Sequence, residues 1–277
     1  MRVDLHVHTN ASDGQYTPSE VVVLARAFDL IAITDHDTTD GIAEARAAAA
    51  RHGAPLILPG IEISTAEDRG DVHMLGYFVR VDDADFQDAL RDFREARFRR
   101  GQMMVEKLAR LGVHLEWARI EQIAAGAVGR PHIARAMVEA GYVESVREAF
   151  DRYISNEGPA YVARKRLTPE ESVELLHRAG GVAVFAHPGL VTGWRDLLKA
   201  LVAAGLDGVE VNHPSNDEGT RLQLRALAAQ HSLIMTGGSD FHGPAVKPGN
   251  GLGCMAPPEG AVYALRERVR RYGTPDV

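Results

Sequence analysis

Short apolar runs alternate with amphipathic stretches along the first 80 or so residues. Val3-Asp4-Leu5 precedes a helix-spaced segment from Pro18 to Phe28, and Leu30 to Ile33 precedes an alanine-rich segment from Asp40 to Arg51. Pro55 to Leu58 and Met74 to Val79 are further runs of the same kind. Runs of this length predict strands, and the stretches between them predict helices. Thr17-Pro18-Ser19-Glu20 and Thr38-Thr39-Asp40 carry helix-start chemistry, a capping oxygen with proline or an acid in the first turn. Strands alternating with helices imply a mainly parallel sheet.

From residue 83 to 166 the strand pattern disappears. Phe86, Leu90 and Phe93 recur at helical spacing, as do Met104, Leu108 and Leu111, then Ile133 and Met137, then Val146, Phe150 and Ile154. Gly112 and Gly141 read as helix stops. Strand signals resume at Val182 to Phe185, Gly208 to Val211 and Leu233 to Thr236, and a last helix is predicted near Gly260 to Tyr272. The expected organisation is an α/β unit of residues 1–82 and 167–277, interrupted by a mainly helical subdomain at 83–166.

The chain has 277 residues, 45% of them apolar and 25% charged, which suits one globular α/β barrel. Its single cysteine, Cys254, can form no internal disulfide, so a reducing compartment is expected. Arg2-Val3-Asp4-Leu5 enters a strand at once, and no apolar run approaches the ~20 residues that span a bilayer. The expected location is the cytoplasm, with no membrane partner.

Six histidines and three carboxylates cluster near the ends of the apolar runs: His6, His8, Asp13, His36, Glu62, His73, His187, Asp240 and His242. Imidazole and carboxylate together are the ligand set of borderline divalent metals. His6 and His8, two apart on a strand, present both rings to one side. In parallel α/β architectures the carboxyl ends of the strands converge, so ligands scattered in sequence can meet in space. Read singly, an HxH pair is commonly solvent-facing and a histidine before proline a turn residue; the joint set points to a polynuclear metal site. Asp35 and Asp37 read as supporting or turn groups. The net charge of −7 argues weakly against anionic substrates, because three divalent ions would bring it to about −1.

The order Asp4-Leu5-His6-Val7-His8, Asp13, Thr34-Asp35-His36-Asp37, Gly60-Ile61-Glu62, His73, Ala186-His187-Pro188-Gly189 and Ser239-Asp240-Phe241-His242 resembles the PHP (polymerase and histidinol phosphatase) family over the whole chain. The resemblance implies a distorted seven-stranded (β/α)7 barrel, with the helical insertion lying over the barrel mouth. It also implies two or three divalent ions, manganese first, with zinc or iron as alternatives. One ion would take His6, His8, Glu62 and Asp240; a second would share Glu62 and take His73 and His187; a third would take Asp13, His36 and His242. Glu62, Asp240 and His187 would then be the catalytic residues. Metal binding lowers the pKa of water and supplies a nucleophile near neutral pH, which suits hydrolysis of a phosphate ester.

Gly129-Arg130-Pro131-His132-Ile133-Ala134 and Gly158-Pro159-Ala160-Tyr161-Val162-Ala163-Arg164 are similar to one subgroup of that family. Its members act on 5′-phosphorylated nucleotides, removing the 3′-phosphate of 3′,5′-bisphosphonucleotides such as pAp or trimming short RNA from its 5′ end. The resemblance therefore implies a small nucleotide or short single-stranded RNA as partner. Arg130 and Arg164 would hold the second phosphate through bidentate contacts, assisted by His132, with His213 facing the substrate. Arg164-Lys165-Arg166 is too short a basic run to indicate duplex nucleic acid. Two other functions compete: a histidinol-phosphatase-like enzyme of small metabolites, and a non-catalytic nucleic-acid accessory module with a structural metal site.

Overall fold

The computed structural model describes residues 1–67, 70–124, 128–162 and 167–273. Among them are seven strands and ten α-helices. In chain order these are β1 (Val3–Val7), α1 (Pro18–Leu24), β2 (Leu30–Ile33), α2 (Gly41–His52), β3 (Leu56–Glu67), β4 (Gly70–Tyr77) and α3 (Ala84–Arg110). Next come α4 (Trp117–Ala124), α5 (Arg130–Glu139), α6 (Val146–Ala149), α7 (Pro169–Arg178) and β5 (Val182–Phe185). The chain closes with α8 (Trp194–Ala203), β6 (Gly208–Asn212), α9 (Glu218–Gln230), β7 (Ile234–Gly237) and α10 (Ala261–Val269).

The strands form one sheet in sequence order, β1 to β7. It curls into a nearly closed barrel: beyond β7, Phe241 bridges Val7, and His8 N donates to Phe241 O at 2.9 Å. Most neighbours run parallel, but β4 is antiparallel to both β3 and β5. The sheet is thus more mixed than strand–helix alternation alone suggests. β3 is also longer than the predicted Pro55–Leu58 run and continues through Glu62. A 12-residue strand paired with β4 needs no helix between them, because a hairpin joins antiparallel neighbours directly.

Both faces of β1, β2 and β5 are buried, as expected of barrel strands covered by helices. In β2, Leu30 and Ala32 join the core shared with Leu5, Leu58, Val184 and the α10 residues Leu265 and Val269. Ile31 and Ile33 face the other way, packing with Val21 and Val22 of α1 and Ile42 and Ala45 of α2. Helix α1 starts as its sequence predicts: Thr17 accepts from Glu20 N, and the Glu20 carboxylate accepts from Thr17 N at 2.8 Å. Helix α2 starts where predicted but without the expected cap, since the Asp40 side chain makes no capping bond. Asp40 N instead donates to Thr38 Oγ1 at 3.1 Å.

The chain divides into two compact units, residues 1–88 with 166–277, and residues 89–165. Among its described residues the second unit is helical, with its own core of Met104, Leu108, Ile120, Ile133, Met137 and Ile154. Leu111 and Val146, expected on its apolar stripes, are exposed. Gly112 and Gly141 take positive φ, as helix-stop glycines do. No helix among the described residues is long and apolar enough to cross a membrane.

Candidate metal centre

The donors gather because strand ends and one hairpin bring them together. His6 and His8 lie at the end of β1 and just beyond it, Asp13 on the loop that follows, and His36 just past β2. Beyond β2 the chain stays in register with β3: His36 bridges Glu62, and Asp37 N donates to Glu62 O at 3.0 Å. His73 is not at a strand end. It lies within β4, where Ala186 N donates to its carbonyl at 3.1 Å, so it neighbours His187 at the end of β5. Asp240 and His242 follow β7. A Cβ at Gly238 would collide with His6, so only glycine lets this segment seat against β1. His187, Asp240 and Asp37 all hold positive φ, at +27°, +52° and +54°. Such backbone is costly for non-glycine residues and concentrates at functional sites.

Glu62 is the hub. Its Oε2 lies 3.3 Å from His6 Nε2, 3.1 Å from His8 Nε2 and 3.2 Å from His36 Nδ1. Its Oε1 lies 3.0 Å from His73 Nδ1 and 2.8 Å from His187 Nε2. Asp240 Oδ1 faces the first of these groups, 3.7 Å from His6 Nε2 and 3.5 Å from His8 Nε2. Asp13 gathers a third group, 3.3 Å from His242 Nε2, 3.7 Å from His8 Nδ1 and 3.8 Å from His36 Nε2.

Three observations fit this donor set to divalent cations. His6 Nε2 and His8 Nε2 lie 3.1 Å apart with a carboxylate oxygen beside both, an arrangement that a cation between them satisfies. The buried Nδ1 of His8, which faces Asp13, has no hydrogen-bond partner, an expensive state for an imidazole nitrogen in a protein interior. Among the described residues, four sets of three or more donors have all their ligand atoms within 4.8 Å of one another. The charge balance agrees. Burial opposes ionisation of Glu62, yet His36, His6 and His73 outweigh it and hold the carboxyl well below its usual range. Asp240 is held low in the same way, against burial, by His6, His213 and His8. Burial also opposes an imidazolium at His6, yet Glu210, Glu62 and Asp240 outweigh it and raise its pKa. The carboxylates therefore stay ionised and attract positive charge.

Several supporting residues carry weaker sequence signals. Glu210 Oε1 lies 2.9 Å from His6 Nδ1, and its Oε2 accepts from His187 N at 2.8 Å. A glutamate inside the apolar strand Gly208-Val209-Glu210-Val211 is the trace it leaves in the sequence, because buried charges are retained where they are paired. Asp35 accepts from Thr9 N, Thr9 Oγ1 and Ser12 Oγ, each at 2.7 Å, which fixes the loop that carries Asp13. Asp37 accepts from Ser64 N at 2.8 Å.

The four residues assigned from sequence to the substrate fall in different places. His213 is buried beside the donors: its Nδ1 accepts from Ser215 N at 3.0 Å, and its Nε2 lies 3.1 Å from Asp240 Oδ2. It follows β6 directly, and so shares the strand-end ring with the candidate donors. Arg130 lies in the second unit, where Nη1 donates to Asn156 Oδ1 at 2.8 Å and the guanidinium sits over Phe150. His132 Nδ1 accepts from Gly129 N at 3.0 Å at the start of α5. Arg164 lies outside the described residues.

A seven-stranded barrel carrying a buried His/Asp/Glu cluster near its strand ends defines a metal-binding α/β barrel. The model of the PHP domain family matches residues 4–156, so the chain belongs to that family. It is 36% identical over 254 residues to a 3′,5′-nucleoside bisphosphate phosphatase of Chromobacterium violaceum, covering 87% of each chain. It is 38% identical over 251 residues to the 5′-3′ exoribonuclease Rnm of Escherichia coli, covering 87% of this chain and 85% of that one. Among solved structures, a Bifidobacterium adolescentis protein described as a metal-dependent phosphoesterase superposes with a TM-score of 0.84 at 36% identity, covering 96% of both chains.

Proposed function

We propose that this protein is a metal-dependent phosphoesterase that hydrolyses the 3′-phosphate ester of 5′-phosphorylated nucleotides. Its first substrate class is 3′,5′-bisphosphonucleotides such as pAp, giving AMP and phosphate, with short 5′-phosphorylated RNA as a second. The observation that carries the chemistry is Glu62, whose two oxygens face two different imidazole groups, as a residue bridging two ions requires. The substrate class is supported by the two relatives, one named for a nucleoside bisphosphate and one for RNA. Those activities share one bond, the 3′ ester of a nucleotide.

We assign His6, His8, Glu62 and Asp240 to one ion, Glu62, His73 and His187 to a second, and Asp13, His36 and His242 to a third. Manganese is the ion we favour, and the donor chemistry also suits zinc and iron. Bound divalent ions lower the pKa of water and neutralise charge on phosphoryl oxygens. The protein's own share is orientation. Glu210 fixes the His6 ring, Asp35 fixes the loop of Asp13, and the buried setting excludes bulk water, so fixed charges act strongly. The second phosphate we assign, on sequence grounds, to Arg130 and Arg164 with His132. Arg130→Ala should then raise KM for pAp about tenfold or more and spare a simple aryl phosphate.

Hydrolysis of pAp in ¹⁸O-water tests this reading. It predicts 5′-AMP and inorganic phosphate carrying the label. Formation of 3′-AMP, or preference for histidinol phosphate, would overturn the substrate assignment.

A further inference from the structure

The two oxygens of Asp240 face different surroundings. Oδ1 looks inward, 3.3 Å from His242 Nδ1 and near His6 and His8. Oδ2 looks the other way, towards His213 Nε2 and the ammonium of Lys247, which contacts it directly. Lys247 is one of four lysines in a chain whose cations are mostly arginine. Its side chain is 37% exposed while that of Asp240 is 5% exposed, so the ammonium reaches from solvent to the rim of the donor cluster.

The loop that carries Lys247 is held on both sides of it. Gly243 and Gly249 take φ of +88° and +97°, backbone that suits glycine and turns the chain sharply. Before Lys247, Ala245 N donates to Gln15 Oε1 at 3.0 Å; after it, the Asn250 side chain donates to Asp240 O at 3.4 Å. Lys247 N itself donates to Gly243 O at 2.9 Å. A cation with a fixed base, partly desolvated beside an ionised carboxylate, is preorganised for a second anion at the same place.

We propose that Lys247 is a catalytic residue whose ammonium contacts the scissile phosphate at its departing ester oxygen; this rests on the phosphoesterase reading of the site. Hydrolysis forms a bond from water oxygen to phosphorus and breaks the bond from phosphorus to the ester oxygen. The electron pair of the broken bond goes to that oxygen, which leaves as a hydroxyl with a proton derived from the water. Negative charge therefore grows on the ester oxygen in the transition state, and a fixed ammonium stabilises it. Asp240 Oδ2 keeps the ammonium in place until the substrate arrives, while Oδ1 remains directed at the donors.

Lys247→Met and Lys247→Arg, each reloaded with manganese, test this with three readouts. Metal content should match wild type in both variants. Inorganic phosphate, titrated by calorimetry, should bind Lys247→Met about 10- to 100-fold more weakly, the scale of a charge-assisted hydrogen bond, with partial recovery in Lys247→Arg. Across phosphate monoesters, kcat of Lys247→Met should fall about 100-fold for alkyl leaving groups and far less for nitrophenol, steepening the dependence on leaving-group pKa. Loss of metal from Lys247→Met would show that the lysine only orients Asp240 and would overturn the proposal. Unchanged phosphate affinity, or equal loss of kcat for every leaving group, would overturn it too. If wild type hydrolyses none of the esters, the phosphoesterase reading fails, and phosphate affinity still decides whether Lys247 meets the anion.

Discussion

Glu210 holds His6 by the ring nitrogen that faces away from the donors: Glu210 Oε1 and His6 Nδ1 lie 2.9 Å apart, and both residues are fully buried. With a cation bound, a proton kept on Nδ1 for Glu210 would leave His6 to present its Nε2 lone pair on the side of Glu62 and Asp240. The other Glu210 oxygen accepts from His187 N, so one carboxylate orients residues assigned to two different ions. Glu210→Gln keeps the shape but sets an amide donor against one of these donors. It should weaken manganese binding about 10- to 100-fold, measured by calorimetry. Unchanged affinity would remove Glu210 from the orienting role.

Glu62 should be less forgiving. Its oxygens meet His6, His8 and His36 on one side and His73 and His187 on the other, so Glu62→Ala leaves both groups without their shared carboxylate. The variant should lose bound metal, seen by elemental analysis, together with about 10³-fold or more of the phosphatase rate. Full metal content would show that Glu62 does not bridge.

Metal should also stabilise the fold. The donors come from both ends of the chain, from His6 to His242, and an unfolded chain cannot assemble them. At a manganese concentration about 100 times its Kd, the folded state should gain about 2.7 kcal/mol, and chelator should remove that gain. A melting temperature insensitive to manganese and chelator would contradict a site of this kind.

At the amino end of β6, away from the donors, Asp207 ties the barrel together. It accepts from Arg268 Nη1 and Tyr272 OH at 2.8 Å each and from Ala183 N at 3.0 Å, with His177 Nε2 2.8 Å away. Burial favours the neutral acid, but the hydrogen bonds from His177 and Arg268 outweigh it and lower the pKa below the ordinary 3.8. A lowered folded pKa means that the unfolded state takes up the proton first. The contribution is therefore full well above pH 3.8 and is lost as the pH falls through 3.8 towards the folded value. Asp207→Ala should cost about 3 kcal/mol in urea unfolding at pH 7 and clearly less at pH 3. An equal cost at both would show that packing, not ionisation, sets it.

The sequence made the donors legible because they recur beside apolar runs and because imidazole with carboxylate has a narrow range of uses. The apolar run Leu30-Ile31-Ala32-Ile33 is enough to announce a buried strand, and Thr17 with Glu20 announces the helix start. Other features were hidden for physical reasons. The β3–β4 hairpin breaks the strand–helix alternation, so it carries no crossover signal and places His73 mid-strand. The pairing of Glu210 with His187 depends on β5 and β6 lying side by side, and that with His6 on the far strand β1, long-range facts that one strand's residues do not encode. Lys247 sits in a loop without periodicity, and only the fold brings it to Asp240.

The most direct test of the central claim is phosphate release from pAp, 3′-AMP, 5′-AMP and histidinol phosphate, each with manganese and with chelator. The account predicts fast release from pAp with manganese, none with chelator, and slow or no release from the other three. Release from pAp that persists in chelator, or no release from pAp under either condition, would contradict it.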